Sequence, residues 1–90
     1  MEYLFDPVKD AINQGKHGVS LALAEALFSG PTQSVPDDRF DYGEVRQVAF
    51  GLIQGRVFVC VYTQANQTRR IISLRKANDR EVNRHAQNLK

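Results

Sequence analysis

The chain is short of the residues on which several classes of protein depend. It has one cysteine, Cys60, in 90 residues, so no disulfide can form within the chain. Its setting in the apolar run VFVCVYT indicates a small core residue of a protein in a reducing compartment. The two histidines, His17 and His85, lie far apart, and neither an HxxxH nor a CxxC spacing occurs. We therefore expect no metal site and no cofactor.

Long hydrophobic segments are also missing. No apolar run approaches the ~20 residues that a membrane helix needs, and the first residues, MEYLFDPVKD, are acidic rather than basic and apolar. This pattern predicts neither a membrane span nor a secretory signal, and hence a cytoplasmic protein. A hydrophobic content of 42% argues for a globular fold. The length of 90 residues predicts a single domain over 1–90.

Charge is distributed unevenly along the chain. Residues 1–45 contain three Lys or Arg against eight Asp or Glu, a difference of −5. Residues 46–90 contain nine against two, a difference of +7. A basic half of this kind is typical of a surface that binds a polyanion, although solvated surface cations of an ordinary domain explain it equally well.

Local signals predict a strand and two helices in the acidic half. Residues 2–5 are aromatic and suit an edge strand. Asp6 and Pro7 suit a helix start, and Gly15 its end, so that residues 16–18 connect two helices. A second helix should begin after Ser20. The apolar positions expected to be buried on these helices are Val8 and Ile12, then Leu23, Ala24, Leu27 and Phe28.

The second half predicts a meander followed by a helix. Residues 30–44 hold two prolines, two glycines and four acids, which is typical of a loop. Runs of apolar residues then predict strands over 45–53, 56–63 and 68–74, joined by hairpin-length connectors. Asn78 and Glu81 have the spacing of a capping box at the start of a helix over about 79–89. The sum is an α+β fold: an N-terminal strand and two helices, a three-stranded antiparallel meander and a C-terminal helix, with the helices on one face of the sheet.

The stretch RRIISLRKANDRE, residues 69–81, brings many ionisable groups to the end of one strand. Glu81 and His85 are four residues apart and therefore neighbours on one helix face, with Arg84 beside them. Guanidinium groups bind phosphate oxygens, and a carboxylate or imidazole transfers protons. These are the ingredients for metal-free RNA cleavage, in which the ribose 2′-hydroxyl attacks the adjacent phosphate. Each residue also has a purely structural interpretation, Glu81 as the capping acid and the others as solvated surface groups.

Two motifs in the chain resemble those of the BrnT family of toxins from type II toxin–antitoxin systems. The first, FDPVKDAINQGKHGVS, carries Phe5, Asp6, Lys9, Asn13, Lys16, His17, Gly18 and Val19; the second, RIISLRKANDREVNRH, carries Arg70, Ile71, Ile72, Ser73, Arg75, Lys76, Ala77 and Glu81. The chain departs from the family pattern at four places. These are Phe5 for a common Trp, Ala22-Leu23 for an acidic run, Gln64-Ala65 for an arginine, and His85 for a tyrosine.

The resemblance implies a RelE-like fold and a ribonuclease activity that blocks translation and growth. It also implies a partner antitoxin, BrnA, whose DNA-binding domain of the ribbon–helix–helix type would bring the pair to operator DNA. On this basis the expected catalytic residues are Arg75, Lys76, Glu81 and His85, and the expected RNA-binding residues are Lys16, His17, Arg69, Arg70, Arg80 and Arg84. Two alternatives stay open: a non-catalytic module that binds nucleic acid or the antitoxin, and a subunit that only sequesters the antitoxin.

Overall fold

A computed structural model describes residues 1–37 and 45–89, which form an α+β fold. The strands are β1 (Glu2–Leu4), β2 (Thr32–Asp37), β3 (Arg46–Ile53), β4 (Arg56–Ala65) and β5 (Thr68–Lys76). The helices are α1 (Pro7–His17), α2 (Ala24–Phe28) and α3 (Asp79–His85), with short 3₁₀ helices at Leu21–Leu23 and Ala86–Leu89.

The strands of the described residues form one five-stranded sheet in the order β1-β5-β4-β3-β2. The predicted antiparallel meander is confirmed as β3, β4 and β5. The N-terminal strand is also confirmed, and it adds to the sheet parallel to β5. The strand count predicted from the sequence was wrong by one, because β2 pairs antiparallel with β3 along its whole length.

Strand β2 lies inside the segment that the sequence predicted to be a loop. Its residues, TQSVPD, include a proline and few β-formers, which is why the pattern did not indicate a strand. A proline is tolerated at Pro36 because β2 is an edge strand. The rest of the predicted loop, residues 38–44, lies outside the described residues.

Helices pack on both faces of the sheet, and the prediction of a single covered face was wrong. On one face, Leu21, Ala24 and Leu27 pack against the buried side chains of β3, β4 and β5. On the other face, Val82, Ala86 and Leu89 pack against Phe50, Val57 and Val59. The central strand β4 is therefore buried on both sides, as its continuous apolar sequence requires. Cys60 is fully buried there and its pKa is raised to about 12 by burial, which confirms its role as a core residue.

Helix α1 is longer than predicted and presents a different face to the sheet. It continues past Gly15 to His17, and Gly18 ends it in the left-handed conformation with φ 73°. Val8 and Ile12, which were expected to be buried, are 67% and 56% exposed. The buried residue of α1 is Asn13. Leu23 was likewise expected to be buried and is 41% exposed, because the turn after Ser20 is a 3₁₀ helix that points Leu21 inward instead.

Asn13 fastens α1 to the sheet through the backbone of β5. Strand β1 pairs with β5 at Thr68–Arg70. Farther along the same edge of β5, the Asn13 side chain forms hydrogen bonds with the backbone of Leu74, as a neighbouring strand would. Its amide nitrogen donates to the carbonyl oxygen of Leu74 at 2.8 Å, and its oxygen accepts from the Leu74 amide at 3.2 Å. A buried backbone edge is thus satisfied by one side chain.

Within the described residues, no helix is both long and apolar enough to cross a bilayer.

Gly51 on β3 allows α2 to lie close to the sheet, and this generates a stability prediction. A Cβ at this position would lie 2.7 Å from Cγ and 3.2 Å from the backbone oxygen of Leu27. We expect Gly51→Ala to lower the free energy of unfolding by about 1–3 kcal/mol in urea titrations, because a fully buried neighbour must move. Gly15→Ala is the matched control, because a Cβ added there has no neighbour within 4 Å. This variant should raise the free energy of unfolding by about 0.5–1 kcal/mol, as expected within a helix. Equal stability of the Gly51→Ala variant and the parent would contradict this account.

Candidate active-site groove

The candidate site is built on one row of residues across the sheet. The register aligns Gln33 of β2 with Phe50 of β3, Phe50 with Val59 of β4, and Val59 with Arg75 of β5. Residues that are directly opposite in neighbouring strands project from the same face. Arg75 and Gln33, which are 42 residues apart in the chain, therefore stand at the two ends of one line.

An irregularity in β5 decides which face Arg75 occupies. Ile71 pairs with Tyr62, but the next pair is Ser73 with Val61, so Ile72 is an extra residue in the strand. The bulge lets Ile71 and Leu74 both enter the core beneath α2, although their spacing of three does not fit a regular strand. Ser73 and Arg75 consequently project from the opposite face, the one covered by α3.

Helix α3 lies across that row, and its first turn is set by a capping box. The backbone amide of Glu81 donates to the Asn78 side chain at 2.9 Å, and the backbone amide of Asn78 donates to Oε1 of Glu81 at 2.9 Å. This confirms the capping interpretation of Glu81. Packing of Val82, Ala86 and Leu89 on the sheet then places Glu81 and Arg84 beside the groove.

Glu81 also forms a two-pronged ion pair with Arg75. The guanidinium donates from Nη1 to Oε1 at 2.8 Å and from Nη2 to Oε2 at 2.9 Å. The side chains of Arg75 and Glu81 are 37% and 20% exposed. The hydrogen bonds from Arg75, followed by that from the Asn78 amide, lower the pKa of Glu81. The carboxylate is therefore charged at neutral pH and engaged at both oxygens, and its main effect is to hold the guanidinium in one orientation.

His85 lies one helical turn after Glu81, over the middle of the row. Its ring stacks on Phe50 with centroids 3.7 Å apart and planes inclined by 14°. Nδ1 of His85 is 2.6 Å from Oε1 of Gln33. Burial, and to a smaller degree the charge of Arg84, lowers the pKa of His85. The imidazole is therefore neutral at pH near 7 and able to accept a proton.

Beside the Arg75–Glu81 pair lies a groove of about 460 Å³. Its floor is apolar and formed by Val48, Val59 and Val61, while Ser73, Arg75, Glu81 and Arg84 supply polar groups along its side. The far end is closed by the end of β2, including the buried Asp37. The groove offers a fixed guanidinium and a second cation, which suits an anion. The neutral imidazole of His85 adjoins it through Phe50, which lines the groove and stacks on the imidazole ring.

The sequence predicted one basic hollow, and the structure brings together only part of the predicted set. Arg75, Glu81 and Arg84 line the groove, and His85 stacks on Phe50, which also lines it. Lys76 lies on the opposite face, beside Phe58 and Leu23. Adjacent residues of a strand project to opposite faces, so Arg75 and Lys76 cannot share a hollow. Arg69 is also on the opposite face, where its guanidinium lies 4.1 Å from the centre of the Phe28 ring and donates to the Tyr3 hydroxyl.

The remaining predicted cations lie outside the groove. Arg70 is exposed and lines a hollow at the outer edge of β5 together with Lys9. Lys16 and His17 line a neighbouring hollow between α1 and β5. These two hollows share Lys9 and Ile72, and the second reaches Ser73, which also lines the groove. Arg80 is exposed in the first turn of α3.

The sequence interpretation missed the contacts of His85 that come from β2 and β3. Gln33 was placed in a loop, and Phe50 was treated only as a strand residue. No motif marks Gln33, because its role depends on the pairing of β2 with β3. Within residues 1–37 and 45–89, no three His, Cys, Asp or Glu side chains cluster in the manner of metal ligands.

Comparison with known families finds a matching family model. Residues 5–81 match the family model described as the ribonuclease toxin BrnT of type II toxin–antitoxin systems. The chain belongs to the BrnT family. No curated protein has a sequence that matches this chain. The region matched to the BrnT model includes Gln33, Phe50, Arg75 and Glu81, whereas Arg84 and His85 follow its last residue.

The ion pair of Glu81 predicts a pH-dependent part of the stability. Because the folded-state pKa of Glu81 lies below the ordinary value of 4.5, its stabilisation is complete above that value and is lost as pH falls through the lower, folded-state pKa. We expect Glu81→Gln to lower the free energy of unfolding by about 1 kcal/mol at about pH 7, with a smaller difference at about pH 3, which is below the ordinary pKa of the carboxyl group.

Urea titrations of both proteins at the two pH values measure this difference. Asp79→Asn is the control, since Asp79 is an exposed carboxylate in the same helical turn. A difference for Glu81→Gln that is the same at both pH values would show that the charge of Glu81 contributes nothing.

Proposed function

We propose that the chain is an endoribonuclease toxin that cleaves RNA without a metal ion and thereby inhibits translation and growth. The family supports ribonuclease activity in general. The observation that carries the finer proposal is the groove, which is lined by a guanidinium fixed by Glu81 and by Phe50, the ring on which the neutral imidazole of His85 stacks. A phosphodiester needs both groups if no metal ion stabilises the developing charge.

Arg75 is the main phosphate contact in this proposal. Its two terminal nitrogens donate to Glu81, and Nη1 also donates to the backbone oxygen of Lys76 at 3.3 Å, so Arg75 acts on the phosphate through the positive charge of a guanidinium held in one orientation. Arg84 lies beside the same hollow and adds a second cation. Glu81 serves as a positioning residue for Arg75, not as the base, because both its oxygens already accept hydrogen bonds.

His85 is the group that accepts the proton. The hydrogen of the ribose 2′-hydroxyl passes to a nitrogen of the imidazole while the 2′ oxygen bonds to phosphorus and the bond from phosphorus to the 5′ oxygen breaks. The leaving oxygen takes a proton from water, and the imidazolium returns its proton to solvent. The products are a 2′,3′-cyclic phosphate and a 5′-hydroxyl end.

The hollows along the outer edge of β5 are the proposed path of the RNA strand away from the groove. They lead from Ser73 past Lys16 and His17 to Lys9 and Arg70. Cations spaced along a channel attract the nucleic acid backbone whatever its sequence. Arg80 lies on the exposed side of α3, where it adds only to the general positive field. Arg69 and Lys76 are not part of the proposed RNA-binding surface, since both project from the other face of the sheet.

The partner in this proposal is a BrnA-like antitoxin with a DNA-binding domain, through which the pair would contact operator DNA. The type II family supports an antitoxin in general. The RelE-like assignment, the single domain over residues 1–90 and the cytoplasmic location stay predictions as well. They are consistent with a translation-blocking ribonuclease, which must meet RNA and its antitoxin in the same compartment.

Replacing Arg75 tests the site against the neighbouring cation in the sequence. We expect Arg75→Ala to reduce the rate of cleavage of a synthetic RNA by about 100-fold or more. Stability should fall by about 1–2 kcal/mol, because Glu81 loses its partner. Lys76→Ala is the matched control, and its rate should stay within about threefold of the parent, since Lys76 is on the other face. Full activity of Arg75→Ala, or an equal loss in both variants, would contradict the proposed site.

Chelation tests the absence of a metal requirement. The rate of cleavage in EDTA should stay within about twofold of the rate without it, because arginine and imidazole supply the charge and proton transfer. The purified protein is incubated with EDTA, then dialysed and assayed. Loss of activity in EDTA with recovery on addition of Mg²⁺ or Zn²⁺ would point to a metal site.

A non-catalytic module would bind RNA through the same cations. The assays above separate the two, since such a module would bind RNA with an affinity that falls with salt and leave it intact. Expression without an antitoxin adds a second criterion, because a ribonuclease should arrest growth and a subunit that only sequesters the antitoxin should not.

A further inference from the structure

Gln33, on strand β2, contacts His85 of α3 through a polar atom. The two residues are 52 positions apart, yet Oε1 of Gln33 lies 2.6 Å from Nδ1 of His85. Asn88, from the 3₁₀ helix after α3, donates its amide to the same oxygen at 3.5 Å. Two groups thus converge on one carbonyl oxygen, which can only accept hydrogen bonds.

This contact determines which imidazole nitrogen carries the hydrogen. In a neutral imidazole, one nitrogen donates and the other accepts. Because the Gln33 oxygen accepts, Nδ1 of His85 must be the donor, and the lone pair is left on Nε2. Stacking on Phe50 restrains the plane of the same ring. Gln33 and Phe50 are paired in register, so one pair of strands controls both the plane and the rotation of the imidazole.

The charged groups around the ring come from several elements. Glu81 and Arg84 lie on the same helix, while Arg75 from β5 and Asp37 from β2 line the same groove. The positive charge of Arg84 and the burial of the ring favour the neutral imidazole, and Glu81 opposes them. A neutral acceptor such as Gln33 leaves the imidazole in its neutral form, whereas a carboxylate in its place would favour the imidazolium.

We propose that Gln33 is a positioning residue that holds His85 as the Nδ1–H tautomer, so that Nε2 is the atom that accepts the 2′-hydroxyl proton. The inference rests on the proposed function for its catalytic consequence. The geometry itself follows from the Gln33 contact and the Phe50 stack alone. In this role β2 is part of the active site, and the enzyme depends on an edge strand for the chemistry of a helix residue.

The tautomer can be measured directly by long-range ¹H–¹⁵N correlation spectra of the imidazole rings. The chain has two histidines, and a His17→Gln variant identifies the signals of each. We expect His85 of the parent protein to be the Nδ1–H form. Gln33→Leu should shift it toward the Nε2–H form, while Ser34→Ala should not. Ser34 is the matched control because it is the next residue of β2 and bonds to Tyr62 instead.

Kinetics on a synthetic RNA provide the second measurement. Gln33→Leu should lower kcat by about 100-fold with KM within about twofold, because the ring is misdirected while the cations remain. Gln33→Glu should restore the tautomer and move the acidic limb of the pH–rate profile upward by about one unit, because a carboxylate favours the imidazolium. If Gln33→Leu does not fold, as judged by its thermal unfolding, Gln33→Asn withdraws the amide from the ring with a smaller change.

The outcomes separate this inference from the proposed function. An Nε2–H tautomer in the parent protein, or an unchanged tautomer and kcat in Gln33→Leu, would overturn the role of Gln33 even if RNA is cleaved. An Nδ1–H tautomer that depends on Gln33 in a protein that does not cleave RNA would support the positioning of His85 and refute the ribonuclease proposal.

Discussion

The site depends on the two-pronged pair between Arg75 and Glu81, which joins the end of β5 to the first turn of α3. The same carboxylate closes the capping box with Asn78, so one side chain starts the helix and orients the guanidinium. Because α3 begins there, His85 comes to lie over Phe50 and within reach of Gln33. The position of α3 and the geometry of the groove therefore both depend on the contacts of Glu81.

Because helices cover both faces of the sheet, one face stabilises the fold and the other carries the candidate groove. The face beneath α1 and α2 is apolar and stabilises the fold, and there Arg69 serves as a packing residue over aromatic rings. The face beneath α3 combines a valine floor with the charged groups of the groove. Cations that are neighbours in the sequence thus have different roles. Membership in the BrnT family indicates a ribonuclease toxin. In the proposed site, Arg75 and Arg84 on the face beneath α3 are the cations beside the phosphate.

Much of the fold could be predicted from local patterns, and the failures have physical causes. The apolar runs of β3, β4 and β5 and the capping box of α3 were predicted correctly, since each depends on nearby residues. Strand β2 was missed because its stability comes from pairing with β3 rather than from its composition. The grouping of Arg75 with Lys76 was wrong for a reason available in the sequence: adjacent side chains of a strand project to opposite faces.

By itself, the sequence determined the element types apart from β2, the N-terminal caps of the helices and the basic character of the second half, because these depend on spacing over a few residues. The tertiary structure alone decided which cations share a hollow. The bulge at Ile72 places Arg75 on the side of α3, and the pairing of β2 brings Gln33 to His85 across 52 positions. Neither could be read from local pattern, since a bulge and an edge pairing are settled by what the rest of the core must bury.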